Sequence, residues 1–137
     1  MKHVVETFWK KDLCFESHIE QHVVWMDAPA KEGMEVGPSP KKLMLSALAG
    51  CSGMDVVTIL KKMRVDYSGL TIRVEGHVTE EHPKRYDAMH LVYEFTGLRV
   101  NLDKFEKAVA LSLEKYCGVA AVYQRAMRLT HEVVVKE

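Results

Sequence analysis

The sequence has no excess of charge of either sign, and this absence narrows the class of protein. Among its 137 residues, 19 are Lys or Arg and 19 are Asp or Glu, so the formal net charge is zero. Proteins that bind polyanions usually carry a strong positive field that attracts them. We therefore expect neither nucleic acid nor an anionic membrane among the partners.

Cysteine is scarce, and its three positions form no C-x-x-C pair. Cys14, Cys51 and Cys117 are far apart and odd in number, which argues against a secreted disulfide framework and against a zinc knuckle. His18 and His22 are four residues apart without a carboxylate or cysteine at ligand spacing, so they are weak evidence for a metal. The sequence predicts no metal site and no bound cofactor, and any disulfide should be transient.

Long uninterrupted hydrophobic runs are also missing. The N-terminal "MKHVVETFWKKDLC" is charged throughout and lacks the apolar core of a signal peptide. The most apolar stretch, residues 37–64, is interrupted by Gly50 and Gly53 and falls short of the roughly 18 to 20 apolar residues that a membrane span needs. We expect a cytoplasmic protein in which this stretch is a buried helix.

The patterns that are present indicate an α+β fold. Alternation predicts two or three strands in a meander between Val4 and Asp27, a long β-hairpin from "LTIRVEGHVTEE" and "AMHLVYEFTGLRV", and a last strand in "LTHEVVVKE". Helical spacing predicts a central helix that ends near Arg64 and a second helix, capped by Asn101, that breaks at Gly118. Without regular β-α-β alternation, residues 1–137 are predicted to form a single α+β domain, an antiparallel sheet packed on a long buried helix.

The central helix is apolar around nearly its whole circumference. Its apolar residues are Leu43, Met44, Leu45, Ala47, Leu48, Ala49, Met54, Val56, Val57, Ile59 and Leu60. A helix of this kind must be surrounded, and the sheet covers only one side. A second subunit packed against the other side, in a homodimer, is our prediction.

Two of the three cysteines lie in surroundings that suggest chemistry. Cys51 and Cys117 each have glycine as a neighbour, which leaves room for a substrate or a second sulfur to approach. A buried cysteine is more often an inert apolar residue, and that interpretation stands for Cys14. Asp55, one helical turn after Cys51, either orients or deprotonates the thiol or is bonded to another element.

Two segments carry a resemblance to a known family. "GPSPKKLMLSALAGCSGMDVVTILKKMR" and "ALSLEKYCGVAAVY" resemble the two signature segments of the OsmC-like proteins, which include osmotically inducible protein C and organic hydroperoxide resistance protein. The resemblance covers essentially the whole chain. It implies an α+β fold in which two subunits intertwine around paired central helices.

The resemblance also implies an activity. Cys51 matches the peroxidatic cysteine that attacks an organic hydroperoxide, and Cys117 matches the cysteine that resolves the sulfenic acid as a disulfide. A dithiol, in some members a lipoylated protein, would then reduce the disulfide. If a helix restarts after Cys117, its thiol would lie near free backbone amides, which lower a thiol pKa. We nevertheless expect Cys51 to be oxidised first.

The sequence departs from the hydroperoxide-reducing members at two positions. Those members have an arginine early in the chain and a glutamate at the start of the central helix, whereas here no arginine precedes Arg64 and the helix start carries Lys41 and Lys42. The alternative function is therefore a non-enzymatic dimer that binds an apolar small molecule or acts as a redox sensor.

Overall fold

Strands and helices follow one another in the predicted order, in a computed structural model that describes all 137 residues. The strands are β1 (Glu6–Lys11), β2 (Cys14–Ile19), β3 (His22–Met26), β4 (Gly69–Val78), β5 (Tyr86–Thr96) and β6 (Arg128–Lys136). The α-helices are α1 (Pro40–Lys62), α2 (Leu102–Leu111) and α3 (Gly118–Ala126). The α+β class is confirmed. The chain divides into two compact units, Met1–Met44 and Leu45–Glu137, and the single domain over residues 1–137 stays a prediction.

The first unit is a three-stranded antiparallel meander in the order β1-β2-β3. Its two tight connections contain Asp12 and Glu20, both in the left-handed region with φ of 51° and 58°. The meander leaves apolar surface in contact with solvent, since Trp9 is 66% exposed and Phe15, its partner across β1 and β2, is 38% exposed. Directly paired residues lie on the same face of a sheet, and exposed aromatic side chains that lie close together commonly mark an interaction surface.

Helix α1 begins at Pro40, where the missing amide proton has no helical partner to lose, and ends in Lys61 and Lys62. Its buried residues recur every fourth position and form one stripe: Leu48, Ser52, Val56 and Leu60. On other faces, Met54 is 75% exposed and Val57 is 44% exposed. Within a single chain the helix is therefore covered on one side only, although its sequence is apolar all round.

The second unit contains a three-stranded sheet in the order β4-β5-β6. Strands β4 and β5 form the predicted antiparallel hairpin, in register from Gly69 opposite Thr96. Strand β6 joins β5 in parallel, because the chain returns through α2 and α3 instead of a tight turn. The sheet is thus mixed, with its antiparallel part confined to the hairpin.

Helix α2 packs on β5 through aromatic rings. Phe105 stacks on Phe95 with ring centroids 4.0 Å apart and planes inclined by 5°, and Tyr67 meets both rings edge-on. All the surface of Phe95 and Phe105 is buried. Asn101 precedes α2, but its side chain makes no capping hydrogen bond and donates instead to the Asp66 carbonyl at 3.5 Å. The prediction that Asn101 caps the helix is wrong, because a 3-10 turn over Arg99–Asn101 already leads into α2.

The break after Cys117 is confirmed. Helix α2 passes into a π-helical turn, Ser112–Tyr116, and the backbone at Cys117 is extended, with φ −76° and ψ 107°. The Cys117 amide donates to the Ser112 carbonyl at 2.7 Å, which closes the wide turn. Helix α3 then starts at Gly118 in a new direction, and Cys117 becomes its N-cap.

Candidate active site

Cys51 and Cys117 lie side by side in the second unit. The Cys51 side chain, on α1, makes a hydrogen bond with the Cys117 thiol at the N-terminus of α3. Both cysteines are free thiols. Cys51 is half-buried, whereas Cys117 is only 3% exposed. Two residues 66 positions apart in sequence are therefore brought close together, with the earlier one more open to solvent.

Two opposing effects act on the Cys117 thiol. The amide of Ala120 donates to its sulfur at 3.3 Å, and this bond, with a weaker one from Val119, stabilises the thiolate. Burial acts more strongly in the other direction, and the neighbouring Cys51 adds to it, so the pKa of Cys117 rises to about 11. Helix α3 restarts as expected, but its amides do not depress the pKa of Cys117, because desolvation outweighs them. At neutral pH Cys117 is a protonated thiol.

A chain of buried hydroxyl groups lies beside the two thiols. The Tyr93 hydroxyl on β5 is 2.6 Å from Ser52 Oγ, which is 2.8 Å from Ser112 Oγ. Ser112 Oγ in turn donates to the Asp55 carboxylate at 3.2 Å. We refer to Tyr93, Ser52, Ser112 and Asp55 as the hydroxyl chain. Its members come from α1, β5 and the π-helical turn, so it joins the three elements that surround the cysteine pair.

The hydroxyl chain has one consistent direction of donation. A carboxylate accepts hydrogen bonds but cannot donate them, so the Ser112 hydroxyl donates to Asp55. The Ser52 hydroxyl then donates to Ser112, and the Tyr93 hydroxyl donates to Ser52. A neutral Tyr93 is required, and burial raises the pKa of Tyr93 to about 12, although the bond to Ser52 opposes this. No buried side-chain nitrogen or oxygen atom in the protein lacks a hydrogen-bond partner.

Asp55 is bonded to another element. Its carboxylate accepts the Ser112 hydroxyl across 57 residues of sequence, which confirms the second of its two interpretations. The other three members of the chain were not predicted. Ser52 and Ser112 are short polar residues at buried positions of apolar helical patterns, at i+1 from Cys51 and i−5 from Cys117. Polar residues in an apolar stripe need a partner, and that rule is the sequence signal that could have identified them.

A cavity of about 460 Å³ opens next to this arrangement. Asp55 belongs both to its wall and to the hydroxyl chain, and Tyr116, the residue before Cys117, forms another part of the wall. The remaining lining is Thr58, Ile59, Lys62, Met63, Lys107 and Leu111. This volume is enough for a small organic molecule.

Cys14 lies in the first unit and has different surroundings. It is 3% exposed on β2, and burial raises the pKa of Cys14, with the negative charges of Asp27 and Glu16 adding to the effect. Lys10 acts in the opposite direction. A buried thiol between carboxylates has little tendency to ionise, which agrees with the inert role expected from the sequence.

The fold and the paired thiols together define an α+β protein with a two-cysteine centre, and comparison with known proteins gives its family. The family model described as OsmC-like protein matches residues 31–132. The chain belongs to the OsmC-like family, which confirms the resemblance seen in the two signature segments.

Individual relatives support this assignment. Protein YhfA of Escherichia coli (strain K12) is 34% identical over 114 residues, which is 83% of each chain. A hypothetical protein from Aquifex aeolicus VF5 has the same fold, with a TM-score of 0.85, 32% identity and coverage of 100% of this chain and 99% of that one. An organic hydroperoxide resistance protein from Legionella pneumophila shares the fold at a TM-score of 0.74 and 15% identity, covering 98% and 97% of the two chains.

Helix α1 also meets the length and composition of a membrane span. It has 23 residues, and its most apolar window has a mean hydropathy of 1.7. The expectation that this stretch falls short of the apolar residues a membrane span needs was therefore wrong. A core helix of a soluble protein passes the same test, and in this protein α1 is the central helix of an OsmC-like fold.

Proposed function

We propose that this protein is a thiol-dependent peroxidase that reduces organic hydroperoxides, with Cys51 as the nucleophile and Cys117 as the resolving cysteine. The observation that carries the proposal is the proximity of Cys51 to Cys117, close enough for one thiol to raise the pKa of the other. Two thiols in contact can be oxidised to a disulfide, and this reaction returns a peroxidatic cysteine to a reducible state without a metal.

The two cysteines differ in a way that supports these proposed roles. Cys51 is half-buried, so a hydroperoxide can reach its sulfur, whereas Cys117 is shielded. The thiolate is the attacking species, and a pKa of about 11 keeps Cys117 protonated at neutral pH. Cys117 is therefore the less suited of the two to attack the hydroperoxide, and in this proposal it reacts second, giving up its proton as it attacks the oxidised sulfur of the neighbouring Cys51.

The reaction is written in two steps. The Cys51 thiolate attacks the distal oxygen of ROOH, the O–O bond breaks, and the alkoxide takes a proton to leave as ROH, so that Cys51 becomes a sulfenic acid. Cys117 then attacks the Cys51 sulfur, the S–O bond breaks, and the thiol proton leaves with the hydroxide as water. A cellular dithiol, such as a lipoylated protein, reduces the disulfide and closes the cycle.

The activity is tested with purified protein, cumene hydroperoxide and a dithiol. We expect the wild type to consume the hydroperoxide well above the rate of the dithiol alone, and Cys51→Ser to return to that background. Cys14→Ser is the matched control and should keep the wild-type rate. A Cys51→Ser variant that retains the full rate would exclude Cys51 as the nucleophile.

A homodimer in the cytoplasm is the proposed state of the molecule. The exposed Met54 and Val57 on α1, and the exposed Trp9 and Phe15 on one face of the meander, are apolar surfaces that a second copy would cover. Sedimentation equilibrium should give twice the chain mass of 15.6 kDa. Met54→Lys should shift the protein toward the monomer, whereas Lys61→Glu, at another exposed position of α1, should not.

A second candidate function is non-catalytic binding of an apolar small molecule, with the cysteines as a redox sensor. The cavity beside Asp55 and Tyr116 favours it, as does the absence of an arginine before Arg64. Under this function, an apolar ligand would raise the melting temperature and the protein would consume no hydroperoxide above background.

A further inference from the structure

The hydroxyl chain joins the two segments that carry the thiols. Ser52 follows Cys51 directly on α1, and Ser112 begins the π-helical turn whose last hydrogen bond is made by the Cys117 amide. The Ser112 hydroxyl meets Ser52 Oγ at 2.8 Å and the Ser52 carbonyl at 3.4 Å. The Ser112 side chain thus contacts the backbone next to Cys51, and the Ser112 backbone carbonyl accepts a hydrogen bond from the amide of Cys117.

These bonds lie where water cannot replace them. Ser52 and Ser112 have no exposed surface, so a lost hydrogen bond leaves a buried polar group without a partner. Asp55 fixes the direction of the whole chain, since it accepts the last proton. Tyr93 anchors the other end to β5. The geometry of the turn that presents Cys117 is therefore tied, through two hydroxyl groups, to the helix that presents Cys51.

We propose that Ser112 is a positioning residue that holds Cys117 against Cys51, so that the pair closes readily to a disulfide. The idea deepens the proposed function, on which its biological role depends, but the closure itself requires only an oxidant. With glutathione the balance is protein-(SH)2 + GSSG giving protein-S2 + 2 GSH, in which two thiols are oxidised and one glutathione disulfide is reduced.

The test measures the equilibrium constant for this exchange in glutathione redox buffers, with Cys14→Ser as background so that only Cys51 and Cys117 can pair. Acid quenching, alkylation and intact mass spectrometry give the oxidised fraction. We expect Ser112→Ala to lower the constant by about tenfold or more. Without the Ser112 hydrogen bonds, the turn holds Cys117 near Cys51 less of the time, which lowers the effective concentration of one thiol at the other. Ser46→Ala, which removes an exposed hydroxyl from α1, the helix that carries Cys51, is the control and should not change the constant.

The conservative variant separates positioning from charge. Asp55→Asn keeps an oxygen that accepts a hydrogen bond from Ser112, so its exchange constant should stay close to that of the wild type. The exchange constant of Asp55→Ala should fall toward that of Ser112→Ala. A purely structural role would lower the melting temperature of the variants but leave the exchange constant of the folded protein unchanged, because the oxidised and reduced forms would be destabilised equally. If Ser112→Ala does not fold, Asp55→Ala supplies the same comparison.

The outcomes distinguish this idea from the peroxidase proposal. If the wild type pairs its thiols in glutathione but consumes no hydroperoxide, the peroxidase proposal fails and the positioning role stands. If Ser112→Ala and Asp55→Ala match the wild-type constant, the positioning role is overturned whatever the peroxidase assay gives. A wild type that forms no Cys51–Cys117 disulfide at any glutathione ratio also overturns it.

Discussion

Cys14 and Cys117 are equally inaccessible, each 3% exposed, and burial raises the pKa of both. Their surroundings nevertheless differ. Cys14 lies on a strand of the first unit, where the charges that raise its pKa come from the carboxylates of Asp27 and Glu16. Cys117 lies at a helix N-terminus of the second unit, next to another thiol. Burial alone therefore does not separate Cys14 from the Cys117 of the proposed pair, whereas the neighbouring group does.

The largest expected effect comes from removing the resolving thiol. In Cys117→Ser, the Cys51 sulfenic acid has no thiol to condense with, so excess hydroperoxide should drive it to sulfinic and sulfonic acid. Intact mass spectrometry should show these products on nearly every chain, and peroxide turnover should stop after about one cycle.

Cys14→Ser is the control for this variant. It should form the Cys51–Cys117 disulfide as the wild type does. Equal over-oxidation in the two variants would remove the distinction between Cys14 and Cys117.

The pH dependence of alkylation should also separate Cys117 from an ordinary thiol. Its pKa is raised from a usual value of 9.0 to about 11, so below pH 9 it holds less thiolate than a free cysteine does. The rate of iodoacetamide labelling of Cys117, followed by peptide mapping in Cys14→Ser, should keep rising up to about pH 11 instead of levelling near pH 9. Levelling at or below pH 9 would mean that the helix amides outweigh burial.

A smaller shift is expected when the neighbouring thiol is removed. Cys51 contributes to the raised pKa of Cys117 through its hydrogen bond and its charge, after burial, which is the largest cause. Cys51→Ala should therefore lower the pKa of Cys117 from its value in the wild type. The same labelling experiment measures the change. An unchanged or higher pKa of Cys117 in this variant would show that the two thiols do not interact.

Much of the fold could be predicted because local patterns determine it. The alternation along β4 and β5 predicts the hairpin, and Gly118 predicts the break before α3, since both signals depend on neighbouring residues. The parallel pairing of β6 with β5 could not be predicted, because it depends on where two helices return the chain. An uncovered side of α1 was expected from a pattern that is apolar all round, but the pattern could not predict which residues, such as Met54 and Val57, would lie on it.

The candidate site likewise contains residues that local sequence patterns indicate and residues that only the folded chain brings together. The two cysteines could be identified because each lies in a segment typical of a family, and Asp55 could be identified from its helical spacing. The link from Ser52 to Ser112 spans 60 residues and depends on a π-helical turn, for which the sequence carries no simple signal. The sign of the pKa shift on Cys117 likewise depends on how deeply the folded chain buries the thiol.

The most direct test of the central claim is to treat the reduced wild-type protein with one equivalent of cumene hydroperoxide and map its disulfides. We expect one intramolecular disulfide between Cys51 and Cys117, with Cys14 recovered as a free thiol. One molecule of cumyl alcohol should form for each disulfide. Recovery of all three cysteines as thiols with the hydroperoxide intact, or a disulfide that includes Cys14, would show that Cys51 and Cys117 are not a peroxidatic pair.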